Sequence, residues 1–127
     1  FFDMLMWVFG AAKRSTVHVL ERTRAGGRLE LERARVRWFL SVEAADLPPA
    51  AVEKGQRTHR AIVLDGQEVE FSEGFTDLHR KSYEEIVAGR GFGTRDVRPS
   101  IQLVHDIRNS PLAGLTGDYH PLLKSGN

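Results

Sequence analysis

The segment RLELERARVRWFLSV, residues 28–42, decides the fold class because charged and apolar side chains alternate along most of its length. Alternation with a period of two is typical of a β-strand that packs one face against a core. The apolar positions change parity partway along, and a strand cannot keep one face through such a change. The pattern therefore predicts a long strand with a bulge or break near Glu32-Arg33. The apolar residues are Leu29 and Leu31 on odd positions, and Ala34, Val36, Trp38, Leu40 and Val42 on even positions.

Shorter strands are predicted on both sides of this segment. Residues 16–23 are expected to form the preceding strand, and the stretch RAGG, residues 24–27, is expected to be the turn between the two. Residues 57–64 and 67–72 are expected to pair across Asp65-Gly66, one of the strongest short signals for a β-hairpin. Both hairpin strands are short, which suits the edge of a sheet.

Helices are predicted at the beginning of the chain and in its last third. The first ten residues, FFDMLMWVFG, are apolar on most sides and end at Gly10. We therefore expect a helix that needs burial on more than one side and is truncated near its beginning, so that the chain is a fragment of a longer protein. Two later helices follow from 3,4 spacing, one ending at Gly89 and one with Thr94 or Asp96 as N-cap. Their predicted buried faces are Phe75, Leu78, His79, Ser82, Tyr83, Ile86 and Val87 in the first, and Ile101, Val104, His105 and Ile107 in the second.

The composition excludes several classes of protein. With 127 residues, 41% of them apolar and 28% charged, the chain has the size and composition of one ordinary domain. Its 18 basic and 17 acidic residues nearly cancel, which gives no electrostatic attraction to nucleic acid or to an anionic membrane. The absence of cysteine excludes disulfides and thiolate sites. Together with the order of the elements, these observations predict a single α+β domain over residues 1–127, with an antiparallel sheet and an irregular tail at 112–127.

Taken alone, the sequence shows no complete catalytic set. The five histidines do not fall at a metal-ligand spacing, so we expect no metal site. The glycine-rich stretch at residues 89–93 follows a predicted helix, whereas a dinucleotide-binding loop follows a strand. We interpret it as a helix-to-helix turn in which Arg90 is a candidate for holding an anion. His79 is a second candidate because Asp77 and Tyr83 lie near it, although it could simply hydrogen-bond a neighbour on its helix.

Two groups of charged residues allow more than one interpretation. Arg33, Arg35 and Arg37 alternate along one face of the predicted strand and could bind an anion, but cross-strand pairing with nearby acids is the more economical explanation. Asp3 lies in an otherwise apolar helix, where an unpaired buried carboxylate would be costly. Asp3 therefore either caps or pairs structurally, or it borders a functional site. The acids considered for the arginines are Glu30, Glu32, Glu68 and Glu70.

Several stretches together resemble the C-terminal domain of the Gfo/Idh/MocA oxidoreductases. Two more narrow the resemblance to the WlbA/WbpB-type branch, which oxidises UDP-N-acetylglucosaminuronic acid at C3. The domain is indicated by FFDMLMWVFG (1–10), LELERARVRWFLS (29–41) and FSEGFTDLHRKSYEEIVAGRGFG (71–93), and the branch by DVRPSIQLVHDIRN (96–109) and GDYHP (117–121).

The resemblance implies an open antiparallel sheet with helices on one face and subunit packing on the other. It also implies a separate Rossmann domain for NAD, with a catalytic lysine in a Glu-Lys-Pro motif and a histidine in a Gly-x-His-x-x-Asp motif. Asp3 matches the Asp of that motif, and the histidine would precede Phe1. The resemblance thus places the Rossmann domain and both catalytic residues outside this chain. We expect the fragment itself to bind no NAD and to be inactive.

For the parent protein, the resemblance implies a cytoplasmic bacterial NAD-dependent dehydrogenase of lipopolysaccharide O-antigen synthesis. The substrate is then a nucleotide sugar with a diphosphate and a carboxylate, which calls for arginine and hydroxyl or imidazole donors. The candidate substrate-binding residues are Asp3, His79, Tyr83 and Arg90. The open sheet face that carries Arg33, Arg35 and Arg37 is expected to form a homo-oligomer.

Two other functions remain as alternatives. A free-standing oligomerisation or sugar-binding module would use the same α+β domain without a cofactor. A hydrolase or isomerase would use His79 with Asp77 or Glu73, but the sequence offers no nucleophile, oxyanion device or metal to accompany them.

Overall fold

The computed structural model describes residues 1–73 and 76–124, which form two compact units. The first unit contains residues 1–42 and the described residues from 92 onward, and the second contains residues 43–91. None of the helices in the described ranges is long and apolar enough to cross a membrane. The elements are α1 (Phe2–Phe9), β1 (Ala12–Leu20), β2 (Arg24–Leu31), β3 (Arg35–Ser41), α2 (Pro49–Glu53), β4 (Ala61–Leu64), β5 (Gln67–Glu70), α3 (Leu78–Val87) and α4 (Thr94–Asn109), with short 3₁₀ helices at Ala44–Asp46 and Pro121–Lys124.

The first unit is built on an antiparallel sheet of strand order β1-β2-β3. One face of the sheet carries the buried residues Val17, Leu29 and Trp38. Phe2 of α1 meets the Trp38 indole edge-on, with ring centroids 5.2 Å apart. The α4 helix contacts both α1 and β1, so two helices cover this face. The prediction of an α+β fold with an open antiparallel sheet is confirmed.

The predicted break in segment 28–42 is confirmed, but it separates two strands of the sheet. β2 ends at Leu31, a turn is closed by a hydrogen bond from the Leu31 N–H to the Ala34 carbonyl, and β3 begins at Arg35. The parity change occurs because the chain reverses there, and each strand keeps its own inward face: Leu29 lies opposite Val36 in the register.

The prediction of a turn at residues 24–27 is wrong, because all four residues belong to β2. The β1–β2 turn lies just before them, closed by the Glu21 N–H donating to the Arg24 carbonyl. Gly26 and Gly27 are buried, and the space of each missing side chain is occupied. Neighbouring atoms pack closely against the strand at these two glycines. A pair of glycines in the local sequence is equally typical of a turn, so the sequence does not distinguish the two cases.

The predicted hairpin is confirmed across Asp65-Gly66, both of which have positive φ angles (50° and 81°). This conformation matches the tight turn favoured in two-residue hairpins. The hairpin is a separate two-stranded sheet in the second unit, and not an edge of the main sheet. Pairing of the strand arginines with Glu68 and Glu70 along one sheet is therefore wrong.

The predicted helices are present, but their buried faces differ from the prediction. α3 begins at Leu78 and has no buried residue in its described length, while Phe75 lies outside the described residues. In α4 the buried residues are Ser100, Leu103 and Ile107, so the stripe predicted through Ile101, Val104 and His105 is wrong. Two sets of residues on this helix have 3,4 spacing. The set that faces inward includes Ser100, a polar residue, so the sequence pattern did not indicate that this face is the buried one.

The α4 helix begins differently from the prediction as well. Gly93 is the N-cap, and Thr94 is the first helical residue. Asp96, in the first turn, accepts a hydrogen bond from the Gly93 N–H at 2.7 Å. Its carboxylate therefore reaches back to the cap without itself being the cap.

The tail after α4 is fastened to the free edge of β1 and to the open face of the main sheet. The Ala113 N–H donates to the Val17 carbonyl, and Asp118 accepts from the Arg37 guanidinium at 3.4 Å. His120 stacks on Phe39 with ring centroids 5.7 Å apart. The segment has little regular structure, and it packs specifically through these contacts. We call residues 112–124 the C-terminal strap.

Candidate functional site

Asp3 lies in the first turn of α1 and is exposed. Phe2 and Leu5 turn inward, and this arrangement directs Asp3 to solvent. The helix has Phe1 as N-cap with no capping hydrogen bond from a side chain, and the Asp3 side chain makes no hydrogen bond or ion pair within the described residues. A carboxylate here is favoured by the positive end of the helix dipole. Of the two interpretations of Asp3, capping or pairing is not observed, and its carboxylate is available to a ligand.

His79 and Tyr83 lie one turn apart on α3 and are both exposed. The expected partner of His79, Asp77, instead accepts a hydrogen bond from Arg80 at 3.4 Å, and Arg80 also donates to Glu84 at 2.7 Å. Tyr83 is 68% exposed, and its hydroxyl has no hydrogen-bond partner in the part of the chain that the structure describes. Both side chains are thus free to donate or accept hydrogen bonds.

The same side of α3 is apolar. Ile86 and Val87 are 56% and 88% exposed, respectively, next to Tyr83. A shallow depression of about 520 Å³ lies beside them and is lined by Arg80, Tyr83, Glu84, Val87 and Ala88. Arg80 and Glu84 are hydrogen-bonded to each other, and Arg80 also pairs with Asp77, so a sugar diphosphate would have to compete with these acids for the Arg80 guanidinium.

Arg90 follows the end of α3 and is already paired. Gly89 (φ 73°) ends the helix, its N–H donating to the Ile86 carbonyl, while the Arg90 N–H donates to the Glu85 carbonyl. This is the Schellman arrangement, in which a positive-φ glycine closes a helix. The Arg90 guanidinium then donates to both carboxylate oxygens of Glu85, at 2.7 and 2.8 Å.

The ion pair raises the pKa of Arg90 and lowers the pKa of Glu85, each through the hydrogen bonds to the other. An anion would have to compete with Glu85 for this guanidinium. The glycine-rich stretch itself follows a helix, as the sequence indicated, and it positions Arg90 on Glu85.

The four candidates do not form one cluster within a single unit. Asp3 belongs to the first unit, and His79, Tyr83 and Arg90 belong to the second. Within the ranges 1–73 and 76–124, no group of three or more His, Asp or Glu side chains could hold a metal ion.

The strand arginines serve different purposes. Arg33 lies in the β2–β3 turn and donates to the Val8 carbonyl at the end of α1. Arg37 pairs with Asp118 of the strap, while Arg35 is exposed on β3. Among the acids considered, Glu30 pairs with Arg14 and Arg28. A continuous platform of three arginines is therefore not formed.

A buried histidine was missed by the sequence analysis. His18 is only 4% exposed at an irregularity in β1, and its Nδ1 hydrogen-bonds the Gly114 carbonyl at 2.8 Å. Tyr119 meets its ring edge-on. The GDYHP motif at 117–121 is the sequence signal that could have indicated this packing, because its Asp, Tyr and His all contact the sheet. The motif therefore builds the strap in this chain.

No protein-family model matches the chain. Two solved structures are similar to it, both of the WlbA (WbpB) dehydrogenase from Thermus thermophilus. The first, in complex with NAD and α-ketoglutarate, is 45% identical with a TM-score of 0.89, and the match covers 95% of this chain and 40% of that one. The second, in complex with NAD and UDP-GlcNAcA, is 43% identical with a TM-score of 0.88, covering 95% and 39%.

This degree of identity, over nearly all of the chain and with the same fold, confirms the resemblance found in the sequence. The chain spans about two fifths of the length of these dehydrogenases. In sequence and in fold it is a WlbA-like C-terminal segment.

Proposed function

We propose that this chain is the substrate-side part of an NAD-dependent dehydrogenase that oxidises the C3 hydroxyl of UDP-N-acetylglucosaminuronic acid, a cytoplasmic step in O-antigen sugar synthesis. The observation that carries the proposal is the 43% identity, over 95% of the chain, to a WlbA dehydrogenase in complex with NAD and UDP-GlcNAcA. The remaining three fifths of such an enzyme would supply the other half of the site.

The described residues of this chain do not fit NAD. A dinucleotide site needs a parallel βαβ unit with a glycine-rich loop between strand and helix. The described sheets are antiparallel, and the glycines at 89–93 follow α3. We therefore assign the NAD site to the rest of the parent enzyme, and we expect the isolated chain to be inactive because the hydride acceptor must be held against the sugar.

The residues of this chain can bind and orient the substrate. Asp3 offers an unpaired carboxylate, which can accept hydrogen bonds from sugar hydroxyls. His79 and Tyr83 offer an imidazole and a hydroxyl that are free of partners in the described chain. Arg90 can bind a phosphate or the sugar carboxylate only where the ligand displaces or shares Glu85. We assign Asp3 the central role because it alone matches a motif position of the family.

The chain also self-associates through the sheet face opposite the helices. Two helices cover only one face, and on the other face the strap leaves Arg35 exposed. The strap residues Asp118 and His120 then form part of the interface. A polar surface of this kind suits a specific contact between copies.

The test is an activity assay on the full-length protein that contains this chain. We expect NADH to form, measured by absorbance, when NAD and UDP-N-acetylglucosaminuronic acid are both present. Asp3→Asn should lower kcat/KM for the sugar nucleotide by about tenfold or more, since it removes a charged hydrogen-bond acceptor. Glu53→Gln, on the exposed side of the short helix α2, is the matched control and should match the wild type. Absence of NADH formation by the wild type would refute the proposed function.

A further inference from the structure

A single residue of the β2–β3 turn closes the C-terminal end of α1. The Arg33 backbone N–H donates to the Phe9 carbonyl at 2.9 Å, and its Nη2 donates to the Val8 carbonyl at 2.7 Å. The Gly10 N–H donates to the Met6 carbonyl at 2.9 Å. A helix leaves its last four carbonyls without partners inside the helix. Arg33 alone therefore satisfies two of these four in α1.

The turn lies against the helix end closely enough to require a glycine there. Gly10 has a φ of +88°, and a Cβ at this position would collide with the Glu32 side chain. The Glu32 N–H also donates to the Ala11 carbonyl at 3.1 Å. We call Gly10, Glu32 and Arg33 the α1 clasp. Its guanidinium charge stands at the negative end of the helix dipole, which strengthens the contact.

The clasp complements the packing at the other end of the helix. Phe2 and Leu5 are buried, and Phe2 packs on Trp38. These apolar contacts hold α1 against the sheet but are not directional. The two hydrogen bonds from Arg33 are directional, and they reach the carbonyl oxygens of successive residues, which lie about 100° apart around the helix axis. They therefore resist rotation of α1 about its own axis.

We propose that Arg33 is a positioning residue for the dehydrogenase reaction, because it fixes the rotation of α1 and thereby the direction of the Asp3 carboxylate. This inference rests on the proposed function, in which Asp3 faces the substrate. A side-chain end about 6 Å from the helix axis moves about 1 Å for a rotation of about 10°. A displacement of about 1 Å at a reacting group can lower a rate by up to about a hundredfold.

The experiment compares Arg33→Met, Arg33→Lys and Arg22→Met in the full-length protein that contains this chain. Arg22 is an exposed arginine of the β1–β2 turn and is the matched control. For Arg33→Met we expect kcat for UDP-N-acetylglucosaminuronic acid oxidation to fall about tenfold, with an unchanged KM for NAD. The lysine variant, which keeps one charged donor, should be intermediate, and Arg22→Met should match the wild type.

The outcomes separate the two claims. A wild type that does not oxidise the sugar nucleotide refutes the proposed function and this inference with it. An active wild type with an unimpaired Arg33→Met variant refutes the positioning role alone. Loss of folded protein alone would also lower the apparent kcat without changing KM, so the folded fraction of each variant is measured by circular dichroism and kcat is expressed per folded enzyme. An Arg33→Met kcat that equals the wild-type value on that basis would also overturn the inference.

Discussion

Gly27 provides the sharpest test of how the main sheet is packed. A Cβ at Gly27 would collide with the Thr16 carbonyl oxygen and would lie 2.8 Å from Cζ2 of Trp38. The first obstacle is backbone of the neighbouring strand, and the second is an indole that is 2% exposed and bounded by Phe2. Neither can move without disturbing the sheet or the α1 contact. We therefore predict that Gly27→Ala is strongly destabilising.

The magnitude follows from the cost of overpacking a core, about 1–3 kcal/mol for one inserted carbon, and the rigid neighbours place Gly27→Ala near about 3 kcal/mol. For a chain of this size, about 1 kcal/mol changes the melting temperature by about 4 °C. Gly27→Ala should thus lower the melting temperature by about 12 °C, measured by circular dichroism, with a matching decrease in the urea midpoint.

Gly26→Ala is the matched control, since Gly26 is the adjacent residue of the same strand. The three atoms nearest to its added Cβ all belong to the Leu123 side chain of the strap, the closest being a methyl carbon at 2.6 Å. A flexible side chain on a tail can move away, so the expected cost is below about 1 kcal/mol. Equal destabilisation by the two substitutions, or a neutral Gly27→Ala, would refute the assigned packing.

Three further predictions concern charged groups. Burial, and secondarily Arg37, lower the pKa of His120 below its ordinary 6.5, so the folded state binds a proton less readily than the unfolded state. The free energy of unfolding should therefore decrease as pH falls from 6.5 towards that lower pKa. His120→Gln should remove this dependence of the free energy of unfolding on pH, measured by urea titrations between pH 5 and 7.5. The same pH dependence in the variant and the wild type would contradict the position of His120 stacked on Phe39. The Glu85 carboxyl should titrate below its ordinary 4.5 by NMR, because Arg90 hydrogen-bonds its charged form, and Arg90→Gln should bring its pKa back up; a Glu85 pKa unaffected by that change would refute the ion pair. Arg35→Glu combined with Arg37→Glu should weaken self-association in light scattering at high protein concentration, and a wild type that is strictly monomeric there would exclude the sheet face as an interface.

The sequence predicts the elements where the signal is local. Asp65-Gly66 specifies its hairpin because both residues accept positive φ, and Gly89 ends α3 for the same reason. The break near Glu32-Arg33 was visible because side-chain parity is a direct consequence of strand geometry. The glycine-rich turn at 89–93 likewise followed from neighbouring residues.

What the sequence did not predict depends on contacts between distant residues. In the sequence, Gly26 and Gly27 look like turn residues. Only the folded structure shows that Leu123 and Trp38 occupy the space beside them. The strap joins Asp118 to Arg37 across about eighty positions, and no local pattern encodes that contact. On α4 the choice between two apolar registers was made by tertiary packing, which buried Ser100 and left Ile101 exposed.

The central claim is that this chain is the substrate side of a dehydrogenase whose NAD site lies elsewhere in the parent protein. Calorimetric titration tests it most directly, with NAD and UDP-N-acetylglucosaminuronic acid added separately to this chain and to the full-length protein. We predict no NAD binding by the chain alone, and binding of both ligands by the full-length protein. Tight NAD binding by the chain alone, or a full-length protein that does not bind the sugar nucleotide, would contradict the claim.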